Sequence, residues 1–134
     1  IFLFIIIISI LTDVGGYTFG KIFKGPKLTK ISPKKTYSGV VGGFLLSIIG
    51  GNVYYYSFME DLLNTNHYFL ISIFIFFISL ISQLGDLIVS FFKRIVKTKD
   101  TGKILPGHGG LLDRIDGMIF TIPSGYVIIK YFIF

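Results

Sequence analysis

The sequence of 134 residues contains no cysteine. Disulfide frameworks, thiolate nucleophiles and cysteine-ligated zinc or iron–sulfur sites are therefore excluded from this chain. It also has no GxxxxGK[ST] phosphate loop, no GxGxxG dinucleotide motif, no HExxH motif and no nucleophilic Ser/His/Asp arrangement. The first 20 residues lack the basic leader and the small-residue cleavage site of a secretory signal peptide.

Acidic residues are also few, 7 against 13 Lys and Arg, whereas hydrophobic residues make up 52% of the chain and the mean hydropathy is +0.77. A soluble domain of this size needs far less apolar surface. Residues 39–59, 68–92 and 117–134 each approach the ~20 residues that a bilayer-crossing helix requires. The first apolar run, residues 1–11, covers only about 16 Å, so we expect it to be the tail of a spanning helix whose start is missing.

We therefore predict an all-α integral membrane protein, a polytopic bundle of about four transmembrane helices. Residues 1–134 would form a single membrane-embedded domain, truncated at the N-terminus. No internal repeat, proline-rich linker or low-complexity polar tail indicates a second domain.

Basic residues are concentrated in two of the three connections between the apolar stretches. The first connection carries Lys21, Lys24, Lys27, Lys30, Lys34 and Lys35, and the third carries Lys93, Arg94, Lys97, Lys99, Lys103 and Arg114. The middle connection, residues 60–67, is short and acidic. The positive-inside rule places both basic loops on the cytoplasmic side of the membrane. We expect that membrane to be a bacterial inner membrane or an organelle membrane. Orientation and attraction to anionic lipid headgroups would by themselves explain these charges.

The second apolar stretch carries small residues at four-residue spacing, namely Gly39, Gly43, Ser47 and Gly51. Such a stripe lets another helix approach closely within lipid. We interpret it as a packing surface and not as a site.

The third apolar stretch has one polar helical face, because its polar residues recur at spacings of three, four and seven. The members of this face are Ser72, Ser79, Gln83, Asp86, Ser90 and Lys93. A carboxylate at Asp86 inside a membrane is costly and needs a partner. Two partners are open: a Lys or Arg in a structural ion pair, or a metal ion or proton. Asp113 and Asp116 are three residues apart and share a face if the chain is helical there, so the three acids together could chelate a hard cation.

A glycine-rich turn, Pro106-Gly107-His108-Gly109-Gly110, precedes those two aspartates. Its glycines allow positive φ and a close approach of the backbone to a ligand, and its N–H groups could hold phosphate oxygens. Taken alone, such a turn is weak support for a site.

The whole segment is far more specific than its parts. It reads Ser90-x-x-Lys93-Arg94-x-x-x-x-Lys99-Asp100-x-Gly102-x-x-Leu105-Pro106-x-His108-Gly109-Gly110-Leu111-x-Asp113-Arg114-Ile115-Asp116, and it resembles, without a departure, the signature of the phosphatidate cytidylyltransferases, or CDP-diacylglycerol synthases. Asp13-Val14-Gly15-Gly16-Tyr17 resembles the family's Asp-containing motif at a helix end, and Ser32-Pro33-Lys34-Lys35-Thr36 resembles its Ser-Pro-x-Lys-Thr element. Three positions depart from the family pattern: Tyr37 and Ser38 stand where an aromatic residue, usually Trp, and an acid are expected, and Gly16 where Ala is common. The chain resembles the C-terminal catalytic half of the family.

The resemblance implies a Mg²⁺-dependent nucleotidyltransferase of phospholipid biosynthesis that converts phosphatidate and CTP to CDP-diacylglycerol and pyrophosphate. Asp86, Asp113 and Asp116 would be catalytic metal ligands, and a second cation is left open. Lys35, also catalytic, would hold the CTP phosphates with Ser32, Pro33 and Thr36. Lys93 and Arg94 would receive the phosphatidate headgroup, and Arg114 could serve either substrate. His108, Gly109 and Gly110 complete the expected substrate-binding residues, while Asp13 and Asp100 could serve only to orient a lysine.

Two other functions are weighed against this one. A CTP-dependent lipid or polyprenol kinase would share the nucleotide but transfer the γ-phosphoryl group. An ion-transporting membrane protein would use Asp86 on an ion path, but it accounts poorly for the paired aspartates beside the glycine turn. The expected partners are CTP, phosphatidate and membrane lipids, with no nucleic acid polymer; a homodimer is left open.

Overall fold

The computed structural model describes residues 1–30, 32–60, 68–96 and 111–133, and of 111–116, 132 and 133 it describes the backbone alone. The described chain is helical. Its α-helices are α1 (Phe2–Phe23), α2 (Tyr37–Phe58), α3 (Tyr68–Ile95) and α4 (Leu111–Ile128), and a π-helical turn, Ile129–Ile133, follows α4. The predicted all-α bundle of about four helices is confirmed.

Helix α1 extends well beyond the first apolar run. Residues 1–11 were expected to be the tail of a spanning helix, and the helix continues through them to Phe23; its 22 residues are long and apolar enough to cross a membrane. Asp13 and the Gly15-Gly16 pair interrupt the hydrophobic pattern without ending the helix, because these glycines face the backbone of α2. The Asp13 motif therefore lies within a helix and not at its end.

Helices α1 and α2 are antiparallel and pack through their backbones. A methyl group added at Gly15 would lie 2.6 Å from the Gly42 carbonyl oxygen, and one added at Gly39 would lie 2.6 Å from the Gly16 carbonyl oxygen. Gly42 leaves room for the ring of Phe19 in the same way. The small-residue stripe of α2 is thus a packing surface, as predicted.

Helices α3 and α4 complete an up-and-down arrangement. Ser79 of α3 bonds Thr12 of α1, and Ser9 of α1 lies 3.0 Å from Thr121 of α4 through their hydroxyl oxygens. One end of this bundle therefore collects the ends of α1 and α3 and the starts of α2 and α4. We call this end the basic end, because Lys21, Lys93 and Arg94 lie in the last turns of α1 and α3.

Helix α4 begins six residues before the apolar stretch predicted at 117–134, so Asp113, Arg114 and Asp116 lie in its first turns. Charged residues can continue a helix at a bundle end where water or headgroups reach them, and an apolar count cannot detect that extension. Within the described residues α1, α2 and α3 are the helices apolar enough to cross a membrane, whereas α4 has these three charges and an internal Pro123.

The apolar core lies at the opposite end from the basic end. Phe4 stacks on Tyr54 and on Phe74, with ring centroids 5.9 and 6.0 Å apart, and Ile8 and Ile75 beside them are fully buried. Large apolar side chains such as Phe69 cover the outside of the bundle. In an integral membrane protein this outer surface is the one that faces lipid.

Candidate functional site

The connection between α1 and α2 fixes the backbone of Lys35. Helix α1 ends at Phe23, and its C-cap residue Lys24 adopts a left-handed conformation (φ 42°, ψ 48°) and donates its N–H to the Gly20 carbonyl. The chain then folds back on itself: the Leu28 N–H donates to the Lys35 carbonyl at 2.8 Å, and the Lys35 N–H donates to the Ser32 carbonyl at 3.1 Å. The N–H and the carbonyl of Lys35 are therefore both hydrogen-bonded, so its side chain extends from a fixed backbone position.

Thr36 begins α2 as its N-cap. Its side-chain oxygen accepts a hydrogen bond from the Gly39 N–H at 3.2 Å, which satisfies one of the free donors of the first turn. The same oxygen lies 3.0 Å from the Ser38 hydroxyl. This cap places Lys35 directly before the helix, at the basic end of the bundle.

Lys35 and Asp86 form an ion pair that joins this connection to α3. The contact is between Lys35 Nζ and Asp86 Oδ2. Their side chains are 26% and 34% exposed, so solvent screens the pair in part. Of the two partners that the sequence left open for Asp86, the structure contains the lysine.

A cavity of about 250 Å³ surrounds this ion pair. Helices α1, α2 and α3 and the connection before α2 contribute its lining, which comprises Thr12, Asp13, Gly16, Tyr17, Lys34, Lys35, Thr36, Gly39, Val40, Gln83 and Asp86. The cavity combines two carboxylates, two ammonium groups and hydroxyls in one space. Such a set suits a polyanionic ligand together with a hard cation.

On the side of the cavity that is nearer the apolar core, buried hydroxyl groups join the helices. The Thr12 hydroxyl oxygen lies 2.8 Å from the Ile8 carbonyl oxygen and 2.9 Å from Ser79 Oγ, and it forms a hydrogen bond with each. Ser82 is fully buried, and within the described part of the chain its hydroxyl has no hydrogen-bond partner. A methyl group added at Gly117 of α4 would lie 2.6 Å from that hydroxyl oxygen, so α4 contacts α3 closely here.

The predicted site residues whose side chains the structure describes divide into three groups. Lys35, Thr36 and Asp86 line the cavity, whereas Ser32 and Pro33 shape the preceding turn and do not line it. Lys93 and Arg94 lie about two turns beyond Asp86 in α3, Lys93 half-buried and Arg94 exposed. The positions of these two residues are compatible with the headgroup role and do not test it.

The remaining predicted residues fall outside the described side chains. His108, Gly109 and Gly110 are outside the described residues, and Asp113, Arg114 and Asp116 are described only as helical backbone in α4. Within the described side chains no three acids or histidines gather at one point. The three-aspartate cluster therefore stays a prediction.

Three cavity residues received little or no weight from the sequence. Asp13 was expected only to orient a lysine, although an acid within an otherwise apolar helix is itself a signal of a functional site. Gln83 belonged to the predicted polar face of α3, and its side-chain amide donates to the Val40 carbonyl at 3.3 Å. Tyr17 gave no signal of its own; it faces the cavity because it follows Asp13 by one helical turn.

Comparison with known proteins identifies the family of this chain. The model of the cytidylyltransferase family matches residues 1–132. The chain belongs to the cytidylyltransferase family. This family assignment agrees with the resemblance seen in the motifs that contain Lys35 and Asp113.

Three relatives of this chain are each named phosphatidate cytidylyltransferase. The Rickettsia conorii protein is 50% identical over 107 residues, which is 76% of this chain and 46% of the relative. The Staphylococcus aureus (strain COL) protein is 44% identical over 124 residues, 90% of this chain and 45% of the relative. The Rickettsia bellii protein is 44% identical over 121 residues, 87% of this chain and 50% of the relative. The chain thus spans about half the length of the curated relatives that it matches.

Proposed function

We propose that this chain forms the catalytic part of a phosphatidate cytidylyltransferase, which makes CDP-diacylglycerol and pyrophosphate from phosphatidate and CTP. The observation that carries this proposal is the cavity at the basic end, where Lys35 and Thr36 of one family motif meet Asp86. The names of the relatives support the same activity.

The chemistry explains why charged residues dominate the site. A phosphate oxygen of phosphatidate attacks the α-phosphorus of CTP, and the bond from that phosphorus to the bridging oxygen of the β-phosphate breaks, which releases pyrophosphate. Two polyanions must approach each other, and negative charge accumulates on the leaving group. Catalysis therefore requires positioned cations more than it requires a covalent nucleophile.

The residues fit a magnesium ion by the chemistry of their donors. Asp86 and Asp13 place carboxylates at the cavity, and Asp113 and Asp116 belong to the first turns of α4. Gly117, the next residue, packs on Ser82, which lies about one turn before Asp86. We assign Asp86, Asp113 and Asp116 as ligands; the bound ion would neutralise charge on the phosphates.

The lysines and arginines receive the two substrates. Lys35 and Thr36 contact the CTP phosphates, with Ser32 and Pro33 shaping the turn that presents them. Lys93 and Arg94 follow Asp86 toward the end of α3, where a lipid headgroup would lie, and they bind the phosphate of phosphatidate. His108, Gly109, Gly110 and Arg114 complete the substrate site.

The cavity opens to the cytoplasm in this proposal. Basic residues in the two connections at the basic end and acidic ones in the middle connection support that orientation. A highly charged nucleotide does not cross a bilayer unaided, so CTP must reach the cavity from the side of the membrane on which it is made.

The decisive experiment is a product analysis. Purified, detergent-solubilised protein is incubated with phosphatidate, Mg²⁺ and CTP labelled at the α-phosphate, and the lipid and nucleotide products are separated. Label in a CDP-lipid with release of pyrophosphate supports the proposal. In a parallel incubation with diacylglycerol or polyprenol in place of phosphatidate, labelled CDP together with an unlabelled phosphorylated lipid identifies a kinase instead. Omission of all lipid controls for hydrolysis of CTP.

A further inference from the structure

We infer that Lys35 and Mg²⁺ compete for the Asp86 carboxylate, so that metal and CTP bind cooperatively through an exchange of partners. The inference rests on the proposed function, which assigns Asp86 to the metal and Lys35 to the nucleotide. Lys35 is thereby a positioning residue for Asp86 as well as a phosphate ligand.

The geometry of the pair is the first support. Lys35 Nζ contacts Asp86 Oδ2 directly, inside the cavity that both residues line. An ammonium group on that oxygen occupies one of the positions from which the carboxylate could bind a metal. It also places a positive charge beside any cation that binds Asp86, and like charges at such a distance repel each other.

The anchoring of the two residues makes the exchange feasible. The Lys35 backbone is held by Leu28 and Ser32, so only the side chain has to move. Its four-carbon stem is flexible, and its ammonium group can bond a phosphate oxygen as well as a carboxylate. Because both side chains are partly exposed, at 26% and 34%, breaking the ion pair costs little.

The exchange links the two ligands thermodynamically. When CTP phosphates attract Lys35, Asp86 is released for the metal, and when the metal takes Asp86, Lys35 is released for CTP. Each ligand then raises the affinity for the other by the same factor. This coupling adds to the direct contact between Mg²⁺ and the phosphates.

The inference predicts an unusual sign for a lysine substitution. If Lys35 only binds CTP, Lys35→Gln leaves the affinity for Mg²⁺ alone unchanged. If Lys35 competes for Asp86, the same substitution tightens Mg²⁺ binding in the absence of nucleotide, while it weakens the binding of CTP in the presence of Mg²⁺.

The test is calorimetric titration of the purified, detergent-solubilised protein with Mg²⁺ alone. We expect Lys35→Gln to bind Mg²⁺ about three- to fivefold more tightly, as judged from the strength of partly exposed ion pairs. Lys30→Gln removes an equal charge from the same connection at an exposed position that does not line the cavity, and it is expected to behave as the unsubstituted protein. Lys35→Met, which keeps the apolar stem, tests the same point if the glutamine variant is unstable.

Asp86→Asn distinguishes a failure of the metal assignment from a failure of the proposed competition. If Asp86→Asn leaves Mg²⁺ binding unchanged, the metal assignment of the proposed function is wrong. If Asp86→Asn weakens Mg²⁺ binding but Lys35→Gln does not tighten it, the competition alone is overturned. Equal tightening by Lys30→Gln, or tightening by Lys35→Gln in an Asp86→Asn background, would also overturn it, because a general charge effect would then be sufficient.

Discussion

Hydroxyl groups of single residues connect α1 to α3 and to α4, between the cavity and the apolar core. Thr12 of α1 reaches Ser79 of α3, and Ser9 of α1 reaches Thr121 of α4. All four side chains are fully or almost fully buried. Within a membrane such bonds favour one rotation of a helix against the next, because only that alignment brings the two hydroxyl groups within bonding distance.

Replacement of Thr12 tests this role. Thr12→Val keeps the side-chain shape but removes the donor to Ser79, and we expect a loss of about 0.6 kcal/mol in unfolding free energy, with ~1.7 kcal/mol as the upper end for such bonds. Thr18→Val is the matched control, since the Thr18 hydroxyl donates to Val14 in its own helix. Reversible unfolding in mixed micelles gives both values. Equal losses for the two variants would contradict an interhelical role.

Asp116 provides the corresponding test of the chemistry. Asp116→Asn preserves side-chain size and removes a charge that we assign to the metal, so we expect turnover to fall by about a hundredfold or more. The measurement is Mg²⁺-dependent formation of CDP-lipid from labelled CTP, with membrane insertion verified separately. Glu60→Gln makes the same chemical change at the far end of the bundle and should retain turnover. Normal turnover by Asp116→Asn would refute the assignment.

The sequence predicted Asp86 for a reason that operates at the level of one residue. An acid on the polar face of an apolar helix must face the bundle interior, and the structure places Asp86 in the cavity. Its partner could not be identified in this way, because six lysines lie in the first connection and only the fold of that connection brings Lys35 to it.

At the scale of the helices, the contact between α1 and α2 depends on the absence of side chains. Leu11 fits over Gly50, where an added methyl group would lie 2.6 Å from its Cδ1, and Thr12 lies over Gly43, where a methyl group would lie 2.9 Å from the Thr12 carbonyl. Because backbone atoms form much of this contact, rotation of a side chain cannot relieve a clash there.

Two neighbouring glycines make this testable. An added methyl group at Gly15 would lie 2.6 Å from the Gly42 carbonyl, whereas one at Gly16 would lie 3.6 Å from the Gly39 carbonyl, an ordinary contact. We expect Gly15→Ala to destabilise the protein by about 1–3 kcal/mol and to lower its melting temperature in detergent. Gly16→Ala should change the melting temperature little. If both variants melt alike, the close approach of the helices is not at Gly15.

Helix boundaries were less predictable than helix positions, for a physical reason. Hydropathy locates the apolar centre of each span, so 39–59 and 68–92 correspond closely to α2 and α3. It underestimates helices whose ends carry charge or glycine. The expectation for α1 stopped before Asp13, and that for α4 began after Asp116, yet both helices continue through these acids. The missing segments are those nearest the basic end, where polar residues can be solvated.

Across the whole molecule, polarity changes along the bundle axis. Stacked aromatic rings and buried isoleucines fill one end, hydroxyls lie in the middle, and the ion pair and its cavity lie at the other end. The organisation as one catalytic domain stays a prediction. The orientation of this gradient across the membrane also follows only from the distribution of charge in the sequence.

The lack of cysteine makes that orientation measurable. A single introduced cysteine is the only thiol within this sequence that a membrane-impermeant maleimide can label. In intact cells we expect Glu60→Cys to be labelled at once and Lys30→Cys only after permeabilisation. The reverse pattern would place the cavity on the outer side and would contradict a cytoplasmic site for CTP.

The glycine contact between α1 and α2 also determines how the cavity can change shape. Asp13 belongs to α1, and Thr36 caps α2. Because the backbones of these two helices are in direct contact, a displacement of one helix along the other would produce clashes. We therefore expect any widening of the cavity that admits a nucleotide to come from α3, which is held across the cavity by the Lys35–Asp86 ion pair.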